Sequence, residues 1–323
     1  MTRHTQADPG TLEQAITLAT RAPSVHNTQP WRWRLVDDRI DLFADDSLML
    51  SAADSDGREL LLSCGAALHH LRTACAAAGW ATEVERMPRL FHPTHLATIR
   101  LTEHRPTSDE LSLADAIVQR RTDRRPYDAH PVPPDQLQAV LAAATGTGAL
   151  AREMSPIEGI YLGAAQRAAA RRHAGDPDYR LELVMWSGQE CTSDGVPASN
   201  CVAPQGNAPL PARVFVQGAA ADDESAPMDY ASLIVITTES DDPTARLRAG
   251  EAMSAAMLEA TRLGLATCPV TEPLECLDIR ADIRRELLDD KAYPQMVLRV
   301  GYAPAGEVEP TPRRRVADVL MSG

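Results

Sequence analysis

Residues 64–80, "CGAALHHLRTACAAAGW", and residues 249–265, "AGEAMSAAMLEATRLGL", read alike. Each carries a glycine followed fourteen positions later by another, Gly65 to Gly79 and Gly250 to Gly264. Both stretches are rich in small residues, helical in composition and followed by a strand pattern. The spacing predicts helices over about 57–78 and 244–263, each stopped by a glycine, the residue that most easily takes the left-handed turn ending a helix. Gly65 lies 53 positions after Leu12 in a first helix, and Gly250 lies 113 after Leu137 in another. The second interval is longer by about 60, close to the size of an irregular block at 149–228. The chain therefore reads as a duplicated α+β unit, with a first copy over 1–108 and a second over 109–323 that carries an insertion at about 149–228. Such a duplication builds within one chain what other proteins build by two-fold dimerisation. The alternative is two unrelated helices of similar composition.

The remaining elements follow from periodicity. Leu12, Ala15, Ile16 and Ala19 recur at helical spacing over 11–22, with Thr11 and Gln14 placed as a capping box, and Pro23 ends the helix. "WRWRLV" (31–36) and "IDLFAD" (40–45) alternate around Asp37-Asp38-Arg39 and predict a hairpin. "ATEVERM" and "LATIRLT" read as strands. Beyond 109 the pattern predicts helices over 109–119, 135–144, 157–173 and 278–288, strands over 231–238 and 295–302, and an apolar patch "LELVMW" at 181–186. "GLATCPVTEPLE" (264–275) reads as a loop between helices, with Thr271–Glu272–Pro273 as a backbone-donor turn. The sheets are expected to be mixed and mainly antiparallel.

Composition narrows the functions. With 45 acidic and 32 basic residues the net charge is −13, which argues against general binding to nucleic acid or anionic membrane. No apolar run is long enough to span a bilayer, and "MTRHTQADPG" lacks an apolar signal core, so a cytoplasmic location is expected. Cysteines at 64, 75, 191, 201, 268 and 276 have no zinc-site spacing and read as reduced thiols filling cores; no metal is expected.

Two stretches carry the chemistry. "APSVHNTQPW" (22–31) puts a serine, a histidine and two amides on a loop held by prolines. Ser24 lacks a nucleophile elbow, and His26 lacks a second ligand at helical spacing. His26 reads by default as a residue shaping the loop. Asn27 suits the edge of a heteroaromatic ring, because an amide both donates and accepts. Trp31 reads as core rather than as a stacking partner. "QRRTDRRPY" (119–127) holds four arginines, and "PRRR" (312–315) a second cluster. Either alone reads as a solvated basic turn. Together, in an acidic chain, they argue for one compact anionic ligand such as a phosphate. No glycine-rich dinucleotide or P-loop fingerprint is present.

Taken together, "SVHNTQPWRW", "GRELLLSCGAAL", "RRTDRRPY", "DGVPAS", "GLATCP" and "TPRRR" resemble the nitroreductase-like FMN flavoproteins, and in particular their Acg-like, mycobacterial branch. The resemblance covers nearly the whole chain and keeps motif order. It implies a tandem nitroreductase-like fold in which one polypeptide imitates the family's homodimer, a monomer with one FMN per chain. Arg120 and Thr122 would bind the ribityl phosphate with Arg313 and Arg315, and Arg121 would lie along the ribityl chain. Arg124 would face the N1/O2 edge, although an extra arginine before Pro126 leaves Arg125 as a second candidate. Pro23, Ser24 and Asn27 would contact the isoalloxazine from the first unit. Pro269 and Val270 would pack on its face, with the Thr271 amide directed at N5. No catalytic side chain is assigned.

The resemblance also implies NAD(P)H as donor and a small electron acceptor. The insertion would act as a lid on the open ring face, with Trp186 and the loop Asp194, Gly195, Val196, Pro197 as its candidate parts. A lid that never opens would make the protein a flavin holder with little or no nitroreductase activity, the alternative to an oxidoreductase.

Overall fold

The computed structural model describes residues 7–36, 39–89, 91–188, 192–201, 210–213, 215 and 229–321. The first unit runs α1 (Pro9–Ala19), β1 (Trp31–Val36), β2 (Arg39–Ala44), α2 (Arg58–Ala77), β3 (Trp80–Arg86) and β4 (His95–Glu103). Helix α3 (Ser108–Gln119) leads to α4 (Pro134–Thr145), β5 (Leu150–Glu153), α5 (Pro156–Gly175), α6 (Pro177–Trp186) and β6 (Ser232–Thr238). Then follow α7 (Pro243–Arg262), β7 (Ala266–Val270), α8 (Glu272–Glu275), α9 (Leu277–Leu288), β8 (Tyr293–Gly301) and α10 (Val316–Val319).

The two sheets share one plan. Their strand orders are β1-β2-β4-β3 and β5-β6-β8-β7, and every pairing is antiparallel. Helices α2 and α7 are each 20 residues long. Gly79 and Gly264 follow them with φ of 89° and 76°, the left-handed stop expected of both. The two long helices pack on each other, and α1 and α4 flank them on either side. Ile16, Leu68, Leu71, Leu247, Met257 and Leu298 belong to one continuous core, so the units share an interior instead of meeting as separate domains.

Between β5 and β6 lies what the first unit lacks. There the paired strands β1 and β2 are close neighbours, whereas in the second unit α5 and α6 intervene. Leu150–Glu153, read from sequence as part of the irregular block, is the edge strand β5, so the insertion begins after it. Tyr179 and Leu183 of α6 join Val196 and Phe215 in a small core against Leu50 and Ala53 of the first unit. The insertion thus folds back over the partner copy. The C-terminal tail crosses as well: Leu320 bridges to Trp33, and the Met321 N–H donates to the Trp33 carbonyl at 2.8 Å.

Two local readings needed correction. The α1 cap is Asp8, whose carboxylate accepts from the Thr11 N–H at 3.1 Å, not a Thr11–Gln14 box. Asp8 sits one residue before Pro9, and proline is favoured at the first helical position. Residues 266–270 are a strand rather than a loop; Pro269 is tolerated because β7 is at the sheet edge. "LELVMW" belongs to α6. The Asp37–Asp38 turn and Cys191 lie outside the described residues. Trp31 and Trp33 are fully buried, and the five described cysteines are unpaired. Among the described residues no helix is long and apolar enough to cross a membrane, and no His, Cys, Asp and Glu group could hold a metal.

Candidate functional site

The loop between α1 and β1 is strained. His26, Asn27 and Gln29 have φ of 44°, 56° and 54°. A left-handed L-residue costs about 1–2 kcal/mol, so such a loop survives only where its surroundings over-determine it. Here they do. The Val25 N–H donates to Ser63 Oγ at 3.1 Å, and the Gln29 N–H to Ser24 Oγ at 3.0 Å. Asn27 Nδ2 donates to the Gly195 carbonyl at 2.9 Å and to the Pro312 carbonyl at 3.1 Å. Gln29 Nε2 donates to the Ser193 carbonyl at 2.9 Å, and Gln29 Oε1 accepts from the Arg314 N–H at 2.9 Å. One loop of the first unit is therefore stitched to the insertion and to the tail.

Two adjoining chambers open beside it, and Pro23, Ser24, Thr122 and Arg124 line both. The smaller holds about 570 Å³ of empty space and is walled by Arg21, Asn27, Arg120, Arg121, Thr311 and Arg313. Asn27 Oδ1 accepts from Arg313 Nη1 at 2.9 Å, which joins the first-unit loop to the tail arginine. Arg120 is 5% exposed, yet among the described residues its Nε and Nη1 have no partner; the Nε atoms of Arg21 and Arg313 are likewise buried and unpartnered there. Among the described residues no carboxylate pairs with Arg21, Arg120, Arg121 or Arg313, while Arg314 pairs with Asp194 at 2.6 Å and Arg299 with Asp229 at 2.7 Å.

Burial, with Arg121 and Arg21 close by, pulls Arg120 down to about 10. Burial and the charges of Arg120, Arg21 and Arg121 pull Arg313 down to about 9. Guanidinium groups seldom give up a proton, so the field here asks for an anion instead. Arg121 is less available, because its Nη1 donates to the Val118, Gln119 and Arg120 carbonyls at 2.8, 3.1 and 3.0 Å.

The larger chamber encloses about 860 Å³ of empty space, open solvent at its mouth included. Pro269, Val270, Met253, Met296 and Leu62 give it apolar surface. Its polar lining includes Glu59, Gln166, Thr271, Glu272 and Arg299. His26 Nδ1, Gln166 Oε1 and Arg299 Nε are buried without partners among the described residues. Burial pushes Glu59 above the usual carboxylate range, against the pull of Arg58. His26 is driven down to about 3 by burial and by Arg213, so its ring is neutral. Arg213 Nη1 donates to His26 Nε2 at 2.8 Å, which leaves the ring proton on Nδ1.

Most of the expected site residues meet here. Pro23, Ser24, Asn27, Arg120, Arg121, Thr122, Arg124, Pro269, Val270, Thr271 and Arg313 all line one chamber or both. Arg124 rather than Arg125 reaches them, since Arg125 is held by Asp123 at 2.7 Å. Arg315 does not belong: its side chain is 82% exposed and pairs with Asp318 at 2.9 Å, capping the short α10. Asn27 offers no free amide edge to a ring, since Gly195, Pro312 and Arg313 occupy it, and it sits on the arginine side.

The expected lid parts are also redistributed. Val196 lines the smaller chamber, Asp194 and Gly195 clamp the tail and the Asn27 loop, and Trp186 and Pro197 line neither chamber. From the insertion, the larger chamber is lined instead by Leu210, Pro211, Ala212, Arg213 and Phe215. Sequence reasoning missed Arg21, Glu59, Arg213 and Arg299. Arg299 alone left a clear mark, a single charge inside the apolar run "QMVLRVGY".

A model described as the nitroreductase family matches residues 205–302. The chain is 44% identical over 97% of its length to a Mycobacterium tuberculosis H37Rv protein named "Putative NAD(P)H nitroreductase Rv3131", covering 92% of that protein. It is 39% identical over 96% of its length to "Putative NAD(P)H nitroreductase acg" of the same strain, covering 95% of it. Among solved structures, a nitroreductase with bound FMN from Desulfitobacterium hafniense DCB-2 aligns with 66% of this chain and 98% of its own, at 13% identity and a TM-score of 0.41.

Proposed function

The chain belongs to the nitroreductase family, and from that premise we propose that it binds one FMN in the seam between its two units and works as an NAD(P)H-dependent oxidoreductase with a roofed chamber. The observation that carries this reading is the set of buried guanidinium N–H groups on Arg21, Arg120 and Arg313 that no protein acceptor satisfies, in a chamber that continues into a larger, partly apolar one. A terminal phosphate on a flat heteroaromatic has that polarity: a dianion at one end and an apolar face at the other.

Arg120, Arg313 and Arg21 would hold the phosphate. Thr122 and Ser24 stand where the chambers join and would flank the linking chain. Pro269 and Val270, with Met253 and Met296, would supply the apolar seat. Arg124 borders both chambers and gives a fixed positive charge that favours negative charge on a ring edge. When bound, the flavin would supply two-electron chemistry between a nicotinamide donor and a small acceptor. One chain contributes both sides of the seam, so a monomer suffices, and no nucleic acid or membrane partner is invoked.

A second reading, a flavin holder with little turnover, is favoured by one feature. Arg213 anchors the cover of the larger chamber through His26, Tyr179, Thr271 and Glu275. On this second reading, a cover held so firmly would keep a nicotinamide out. The discriminating experiment uses purified full-length protein. FMN at about one per chain, bleached rapidly by NADPH without oxygen, supports the oxidoreductase. Bleaching by dithionite alone supports the holder. A colourless protein that takes up no FMN overturns both.

A further inference from the structure

Beside the larger chamber, whose wall includes Glu272 and Gln166, a thiol, an imidazole and a carboxylate stand in line. Cys276 Sγ lies 3.5 Å from His173 Nε2, and His173 Nδ1 lies 3.1 Å from Glu272 Oε1. Glu272 Oε2 accepts from Gln166 Nε2 at 2.6 Å. Three elements converge to make this line: Cys276 precedes α9, His173 sits in the last turn of α5, and Glu272 opens α8. The His173 ring stacks on Tyr179 at 3.8 Å and 9°, so it cannot turn away. A nucleophile, a base within reach, and a third group orienting the base make the arrangement that activates a thiol. Its readiest alternatives fall short. A metal site is excluded, because no group of the described His, Cys, Asp and Glu residues could hold one. An inert core thiol has no imidazole beside it, as at Cys75, which burial pushes up to about 12.

We propose that Cys276 is a nucleophilic thiol that reduces hydroperoxides, with His173 as its proton partner and Glu272 as the residue that positions the imidazole. The Cys276 sulfur attacks one peroxide oxygen; the S–O bond forms as the O–O bond breaks. The departing oxygen takes a proton from His173 Nε2 and leaves as water or an alcohol. The sulfur ends as a sulfenic acid, oxidised by the two electrons that the peroxide gains. Burial disfavours the His173 cation, but Cys276, Glu272 and Glu275 outweigh it and lift the imidazole to about 9. In the attack the thiol proton passes to His173 Nε2, 3.5 Å from the sulfur, and Arg172, itself paired with Asp278, also lies against that sulfur. Size limits the electrophile: Cys276 is only 5% exposed and lines neither chamber, which rules out a bulky acyl group. The inference does not rest on the flavin reading.

The experiment treats native full-length protein with hydrogen peroxide at one equivalent, traps sulfenic acid with dimedone, and maps the label by mass spectrometry. Cys201 is the internal comparison, because it is more exposed than Cys276 and has no imidazole partner among the described residues. The expected result is label at Cys276 ahead of Cys201, and a rate at least tenfold lower in His173→Asn. Glu272→Gln should lower the rate less and move its pH profile. Label at Cys201 before Cys276 in the unaltered protein overturns the proposal, as does an unchanged rate in a folded His173→Asn. The first comparison needs no variant, so it stands even if His173→Asn fails to fold.

Discussion

Gly65 and Gly250 face each other where α2 crosses α7. A Cβ on Gly65 would lie 3.0 Å from the Gly250 Cα and overlap the Leu247 carbonyl. A Cβ on Gly250 would lie 2.9 Å from the Leu62 Cα and overlap the Leu62 carbonyl. Each glycine thus meets the residue three before its counterpart, the reciprocity expected at a pseudo-two-fold axis. Four turns on, the left-handed glycines stop both helices.

Gly65→Ala and Gly250→Ala should therefore each destabilise the fold, although alanine is the better helix former. The helices would have to separate along a shared core, and overpacking of that kind costs about 1–3 kcal/mol or more. Chemical denaturation should show the loss for both variants. Gly175→Ala, which meets nothing within 4 Å, should leave stability nearly unchanged.

That crossing was legible because it rests on composition and spacing, which duplication copies. The arginine chamber was legible in part: "RRTDRRPY" and "TPRRR" name their cations, but a run of basic residues does not say which one turns inward. Arg313 is half-buried and bonded inward to Asn27, while Arg315 is out on the surface, two positions apart. The insertion's share of the larger chamber's wall was not legible at all. Leu210–Arg213 and Phe215 follow no helical or strand period, and their neighbours in space come from far along the chain. Asn27 shows the same limit, since its amide was spoken for by backbone carbonyls that no motif can announce.

Arg120→Ala and Arg313→Ala should each weaken FMN binding by about 1.5–3 kcal/mol, the worth of a charge-assisted hydrogen bond, which is roughly ten- to more than a hundredfold. Titration calorimetry with riboflavin separates the causes. Riboflavin lacks the phosphate, so its affinity should barely change in the same variants. Arg315→Ala, exposed and paired with Asp318, should bind FMN normally. Equal losses for FMN and riboflavin would move the phosphate elsewhere.

Stability should fall as the pH drops below about 6.5. Burial holds His26 near 3 and drives His70 well below its ordinary value. Both rings are neutral in the fold but take up protons on unfolding, so their contribution is complete above 6.5 and is lost toward 3, at about 1.4 kcal/mol per pH unit for each proton. Asp54 works the other way. Burial and Glu59 raise it to about 7, so the fold holds its proton between 3.8 and 7 while the unfolded chain does not. Denaturation from pH 7 to 4.5 should give a shallower slope in His70→Gln and a steeper one in Asp54→Asn. Parallel slopes in all three proteins would assign the acid sensitivity to other groups.

Arg213 controls access to the larger chamber if its cover is a lid. Its guanidinium donates to Tyr179 Oη at 2.6 Å, to Thr271 Oγ1 at 2.9 Å and to His26 Nε2 at 2.8 Å, and it pairs with Glu275. Arg213→Met alone would strand a buried carboxylate on Glu275, at a cost of about 3–5 kcal/mol. The informative variant is therefore Arg213→Met with Glu275→Gln, which removes both charges and the tether together. FMN content should persist, because the arginine chamber is untouched. Anaerobic reduction by NADPH should quicken at least tenfold, with dithionite reduction as the control for an intact flavin. A variant that keeps its FMN and is reduced no faster than the parent shows that Arg213 anchors structure without governing entry.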